Sequence, residues 1–324
     1  MLTSSRLCAA LLALTSVAAS TNVLAQAYPS KPIRAIVPFA PGSATDQIAR
    51  AFAAKMVETL GQPIVVENRP GANGMIGADT VAKAAPDGYT FLFGTNSTNA
   101  ALKSLMKKLP YDQDTAFTAI GYMGSVPLIV AVNNEFPAKT LAEFIALAKA
   151  KPGNITFATA STSQRISAEM LAGMAGIKMT HVPYKSSPNA ITDLIGGQVN
   201  MFTADFAVML PQVKAGKVRA LAVTSSKRSA VAPDLPTVNE AAGLKDYELI
   251  AFFGAYGPAG MPRDAVQKLN EVINAAARSK EVIDRFAALG METSPGTPEA
   301  FAQRTAQEAV KWAKAIKDAG IEPE

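Results

Sequence analysis

Cysteine and histidine are almost missing from this 324-residue chain, with one of each. That removes a Cys/His zinc site, a haem ligand pair and a disulfide framework from consideration. Charge is sparse as well: 18% of residues are charged, and the excess of 31 Lys and Arg over 26 Asp and Glu is small and spread along the chain. Lys107-Lys108 and Lys227-Arg228 are the only adjacent basic pairs, so no basic run tracks a phosphate backbone and no nucleic-acid partner is expected. No G-x-S-x-G elbow supplies a nucleophile. Past the first residues, no apolar stretch reaches the roughly 18 residues of a membrane helix. What remains is an apolar fraction of 49%, too high for a disordered chain, and a length that calls for two domains, because single cores stop growing at roughly 250–300 residues.

Residues 1–25 read as an export signal. Arg6 gives the positive start, Leu7 to Ala19 is an almost continuous stretch of apolar and small residues, and Val23-Leu24-Ala25 before Gln26 offers the small residues a signal peptidase needs. Ala25-Gln26-Ala27, before Tyr28, is a second candidate cut. Cys8 lies inside this segment without a lipid-attachment context, so processing leaves a chain with no cysteine, held together by its core alone.

The rest alternates strand and helix. Ile33 to Phe39 is a β-branched apolar run closed by Pro41-Gly42, after which Ile48, Phe52 and Met56 recur at a spacing of four along one helix face. Strands are expected at Ile64–Glu67, Thr90–Phe93, Leu128–Val132, Ile155–Ala158, Lys178–Val182, Asn200–Thr203 and Val218–Val223. Helices are expected at about Gly77–Ala85, from about Thr98, and at Leu141–Lys149, Arg165–Met174, Ala190–Ile195 and Val208–Lys214. The C-terminal part is helical: Val266, Leu269, Ile273 and Ala276 share a face, and Thr297-Pro298-Glu299 starts a further helix that carries Trp312, a core residue. This alternation implies an α/β fold with mainly parallel sheets covered by helices.

In such sheets, ligands sit beyond the carboxyl ends of strands, where helices begin. Three loops have that placement. In Phe39 to Asp46, Gly42 permits close backbone approach, Ser43 and Thr45 supply hydroxyls, and the new helix adds unpaired N–H groups. Thr159-Ala160-Ser161-Thr162-Ser163 carries four hydroxyls, with Arg165 in the first helical turn and no acidic residue until Glu169. Gly94 to Asn99, including Asn96, is the third. Hydroxyls also cap helices in any protein, but two such loops in separate halves, one beside an arginine, favour a bound anion. Charge-assisted bonds worth about 1.5–3 kcal/mol each would support micromolar binding, about −8 kcal/mol in all.

Other candidates point elsewhere or stay open. Gly71-Ala72-Asn73-Gly74-Met75-Ile76-Gly77 has G-x-x-G-x-x-G spacing and follows the second strand, which fits close helix packing better than a dinucleotide cradle. His181 has no second histidine or cysteine with which to form a metal site and reads as structural or at the pocket edge. Asp205 either accepts from a ligand hydroxyl or ammonium, or caps the next helix. Phe39, Tyr184 and Phe206 are candidate apolar walls that would admit aromatic acids.

From Tyr28 onward the chain resembles the substrate-binding receptors of tripartite tricarboxylate transporters, the Bug (TctC) family. The matching stretches are Tyr28-Pro29-Ser30-Lys31-Pro32-Ile33, Val37 to Ser43 with Asp46, Val66-Glu67-Asn68-Arg69-Pro70-Gly71-Ala72, Pro86-Asp87-Gly88-Tyr89-Thr90 and Leu109-Pro110-Tyr111-Asp112. Val182-Pro183-Tyr184-Lys185, Gly196-Gly197-Gln198-Val199, Arg219 to Thr224 and Gly257 to Pro262 complete the series. The resemblance implies a type II-like periplasmic-binding-protein fold: two lobes, residues 26–125 plus 246–324 and residues 126–245, joined by crossing strands, with the ligand in the cleft between them. It implies a periplasmic, cofactor-free, non-catalytic monomer that captures a small carboxylate and delivers it to membrane permease subunits. It also places Ser43, Ala44, Thr45 and Ser161 to Ser163 around one ligand carboxylate.

Two departures stand out. The family's second-lobe loop is usually glycine-rich and runs on to a His-Leu pair, whereas here it is about two residues shorter and Arg165 stands near the histidine's place. The family often has Trp where this chain has Phe252-Phe253. Arg165 therefore either pairs with a ligand carboxylate, which favours a dicarboxylate, or faces solvent or Glu169 at i+4. The competing functional readings are a ligand-sensing partner of a signalling receptor, which would use the same cleft, and a nucleotide-dependent α/β enzyme, which the glycine spacing and the missing acid–base pair disfavour.

Overall fold

Short β-branched strands that pair with their neighbours, each followed by a helix with one apolar face, account for most of the chain. The computed structural model describes residues 28–323; the expected export signal at residues 1–25, with Cys8 and both candidate cleavage sites, lies outside the described residues. The first stretch runs β1 (Ile33–Val37), α1 (Ala44–Leu60), β2 (Ile64–Asn68), α2 (Met75–Ala82), β3 (Thr90–Thr95), α3 (Leu102–Leu105) and β4 (Phe117–Asn133). The second runs α4 (Leu141–Ala150), β5 (Thr156–Thr159), α5 (Thr162–Ala175), β6 (Thr180–Pro183), α6 (Ser187–Ile195), β7 (Met201–Asp205), α7 (Phe206–Lys214), β8 (Val218–Val223) and α8 (Val238–Ala242). The chain then returns through β9 (Ile250–Pro258) to α9 (Arg263–Arg278), α10 (Lys280–Ala287) and α11 (Pro298–Asp318).

The strands form one continuous sheet in the order β2-β1-β3-β9-β4-β7-β5-β6, with β8 also on β4. β1 is parallel to β2 and β3, and β5 is parallel to β6 and β7. The expected parallel pattern therefore holds in the outer strands. Pairing is antiparallel wherever β4 or β9 takes part, because one carries the chain out of the first lobe and the other brings it back. The 17-residue β4 serves both lobes: Phe117 to Pro127 pair with β9, and Leu128 to Asn133 pair with β7 and β8.

The predicted apolar face of α1 is buried at Ile48, Phe52 and Met56, and Trp312 is buried on α11. A second core, around Phe144, Phe157, Leu171, Met201 and Tyr247, fills the other lobe. The helix expected from about Thr98 begins instead as a π-turn, Ser97–Ala101, that tightens into the single-turn α3.

Where the chain crosses between lobes, Thr224 fastens the two passages. Its hydroxyl accepts from the Leu128 N–H at 2.8 Å and donates to the Leu249 carbonyl at 2.6 Å. Ser125 exchanges two 3.0 Å backbone bonds with Glu292 beside it. Gly124 has φ +151°, and a Cβ there would run into the Glu292 carbonyl, so this close crossing requires glycine. Among the described residues no helix is long and apolar enough to cross a membrane.

Candidate functional site

Four strand ends and the helices that follow them surround a cleft of about 310 Å³. At the first, the chain leaves β1 and turns at Gly42, whose φ of +80° is open to glycine at no steric cost. Ser43 is the N-cap of α1 and its Oγ accepts from the Asp46 N–H at 3.3 Å. The buried Asp46 carboxylate fastens the loop from within. It accepts from the Gly42 N–H at 2.9 Å, from Arg50 Nε at 3.0 Å and from Asn68 Nδ2 at 2.9 Å. Burial pushes this carboxyl up, and Arg50, the Gly42 N–H and Asn68 together outweigh that and hold it below the usual carboxylate range. Phe39, Ser43, Ala44 and Thr45 line the cleft.

At the second, β5 gives way to α5. Ser161 occupies the N-cap, yet its side chain makes no cap bond and meets Ser163 Oγ at 3.1 Å instead. Gln164 holds this loop: its Oε1 accepts from the Ala160 N–H at 2.7 Å and its Nε2 donates to Ser187 Oγ, at the start of α6, at 2.9 Å. Ser161, Ser163, Gln164 and Ser187 all face the cleft.

The third wall follows β3. Asn96 is 1% exposed; its Oδ1 accepts from the Phe252 N–H at 3.3 Å, which leaves Nδ2 as a buried donor with no partner. Thr95 and Ser97 flank it, and Ala251 and Phe253 of β9 close that side.

The fourth wall is Asp205, the last residue of β7, 7% exposed and lining the cleft. Burial pushes its carboxyl up to about 6, against bonds from its own N–H and from Gln164 that favour the charged form. It occupies the N-cap position of α7 without capping it.

The cleft thus gathers hydroxyls, an amide donor and the uncapped start of α5, a set suited to an anion's oxygens. Larger open grooves occur elsewhere: about 820 Å³ between Phe117, Tyr256 and α11, and about 1040 Å³ behind the crossing at Ser225 to Val231. Size does not single out the cleft; convergence of loops from both lobes does.

Of the residues predicted from sequence, Phe39, Ser43, Ala44, Thr45, Asn96, Ser161, Ser163 and Asp205 come together here. The others fall outside the lining. Gly42 faces an outer groove opposite Pro188, and Asp46 acts behind the loop. Thr159 Oγ1 bonds His181 Nε2 at 2.6 Å, with the His181 ring stacked on Phe157. Thr162, the first residue of α5, is buried. Arg165 stands half-buried on α5, where its charge acts on the Glu169 carboxyl, which burial raises and Arg165 lowers.

Neither Tyr184 nor Phe206 walls the cleft. The Tyr184 hydroxyl is drawn to Asp193 Oδ2 at 2.8 Å, and the Phe206 ring packs in the core beneath Gly290. The lining residues absent from the sequence-based set are Thr95, Ser97, Gln164, Ser187, Ala251 and Phe253. Thr95 and Ser97 belong to the third loop already singled out; Gln164 and Ser187 carry no comparable signal.

A family model described as the tripartite tricarboxylate transporter family receptor (TctC) matches residues 48–321. Among solved structures, R. palustris Rpa4515 with adipate superimposes with a TM-score of 0.89 at 33% identity, covering 92% of this chain and 100% of that one. The periplasmic binding protein BugD gives a TM-score of 0.87 at 35% identity, covering 92% and 100%. MatC from Rhodopseudomonas palustris with bound malate gives 0.85 at 33% identity, covering 89% and 100%.

Proposed function

The chain belongs to the tripartite tricarboxylate transporter family of receptors, and from that premise we propose that it is a periplasmic solute-binding protein that captures a small carboxylate and presents it to a membrane permease. The observation that carries this reading is the convergence of the loops after β1, β3 and β5 on one cleft, with the unpartnered Asn96 amide and the uncapped start of α5 among its donors. A carboxylate supplies the acceptors those donors lack. The relatives solved with adipate and malate support dicarboxylates as the first class to try.

The lobes of this reading are residues 26–125 plus 246–324 and residues 126–245, with the switch of β4 partners after Pro127 and the return at Leu249 to Ile250 as the hinge. Closing them brings the α1 and α5 loops onto one carboxylate, and the closed form is what the permease reads. The protein works by binding alone, with no cofactor, and residues 1–25 direct its export. A thermal-shift screen with mono-, di- and aromatic carboxylates tests the reading. A rise in Tm with at least one dicarboxylate is expected. No shift with any carboxylate, together with a shift on adding nucleotide, would overturn it.

A further inference from the structure

The cleft contains one ionisable side chain, and it has the wrong sign for a carboxylate. No lysine, arginine or histidine is among the described residues that line it; Asp205 is. An aspartate at the start of a helix is ordinarily explained as its cap. Here that explanation fails, because the Asp205 side chain makes no bond to the N–H groups of the nine-residue α7. Its own N–H and the Gln164 side chain lie close enough to favour its charged form. A carboxylate offers roughly four acceptor positions, so acceptor capacity is left over on the cleft side.

Resting on the reading of the cleft as a carboxylate site, we propose that Asp205 determines specificity by selecting carboxylates that carry a second, hydrogen-donating group, an O–H or N–H placed to bond its carboxyl. A hydroxy- or amino-carboxylate meets both ends of the cleft, with its carboxylate toward Asn96, Ser161 and Ser163 and its donor toward Asp205. An acid lacking the donor sets its charge near the buried Asp205 carboxyl and leaves those oxygens unmatched, both unfavourable. Burial already raises this carboxyl, so an incoming bare anion adds to a cost that its charged form already bears.

Titration calorimetry on the purified chain tests this with matched pairs: succinate against malate and aspartate, and glutarate against 2-hydroxyglutarate and glutamate. In at least one set the donor-bearing acid should bind roughly tenfold tighter or more, the range of a hydrogen bond to a charged group. Asp205→Asn, nearly isosteric, should then weaken the donor-bearing acid and tighten the bare one, moving the two affinities in opposite directions. A merely structural role would move both the same way and would overturn the proposal. Equal wild-type affinity within every set would also overturn it, and that comparison needs no variant. So would tight binding of the bare acid with uptake of one proton per ligand, read from titrations in two buffers of different ionisation enthalpy, since Asp205 would then be donating. Failure of every carboxylate to bind would overturn the carboxylate reading itself, and this proposal with it.

Discussion

The loops that start α1 and α5 meet at the same cleft but are held in opposite ways. In the first, Ser43 caps its helix, and the buried Asp46 gathers Gly42, Arg50 and Asn68 behind the loop. In the second, Ser161 leaves its helix uncapped and the loop hangs on the neutral Gln164, which bonds Ala160 and Ser187. One loop is a wall braced from behind by a buried carboxylate. The other keeps donors for a guest, so binding strength should lie with the second and stability with the first.

Removing the centre of the braced wall is the strongest way to break this contrast. Asp46→Ala should destabilise the protein by about 3 kcal/mol, the low end for breaking a buried pair because Arg50 is half exposed, read as a lower urea midpoint. The sign with pH follows from the depressed carboxyl. Its contribution is full above the unfolded-state value of about 3.9 and is lost as pH falls through the folded value. The gap between wild type and variant should therefore narrow on acidification; a constant gap would mean that Asp46 acts through packing alone.

Gln164→Ala comes next, at about 2 kcal/mol for the stranded Ala160 N–H, and unlike Asp46→Ala it should also loosen ligand binding, because it frees the second loop. Chemical denaturation and titration calorimetry on one preparation separate the two effects. The finest comparison is between the two caps. Ser43→Ala should cost about 1 kcal/mol of stability, whereas Ser161→Ala should leave Tm nearly unchanged and weaken carboxylate binding roughly three- to tenfold. Equal Tm losses in the two variants would erase the distinction.

The outer strands and α1 were legible because their apolar residues keep a clean period. β9 and the first half of β4 were not, and their glycines explain why. Phe117 to Pro127 contains Gly121, Gly124 and Pro127, which read as breaks; the structure uses the glycines at register shifts within a continuous strand. A side chain at Gly121 would crowd Asn270 and Ile273 of α9, and one at Gly254 would strike Phe301 of α11. These positions give up side chains so that helices can lie close on the sheet, a demand set by partners from distant parts of the chain. The site divides along the same line. Ser43, Asn96 and Ser161 sit at local turn signals, while Gln164 and Ser187 meet only after the chain has folded.

The position of β9 also sets an order of assembly. It lies between β3 and β4, pairing Leu92 with Tyr256 and Ser125 with Phe252. A chain delivered N-terminus first presents β3 and the first half of β4 with open hydrogen-bonding edges until residues 250–258 emerge. Those edges are surfaces on which strands of other chains add, and the pairing that closes them has high contact order and forms late. The first lobe cannot complete its sheet before residues 250–258 are available, so the arrangement that joins the lobes also makes that sheet close late.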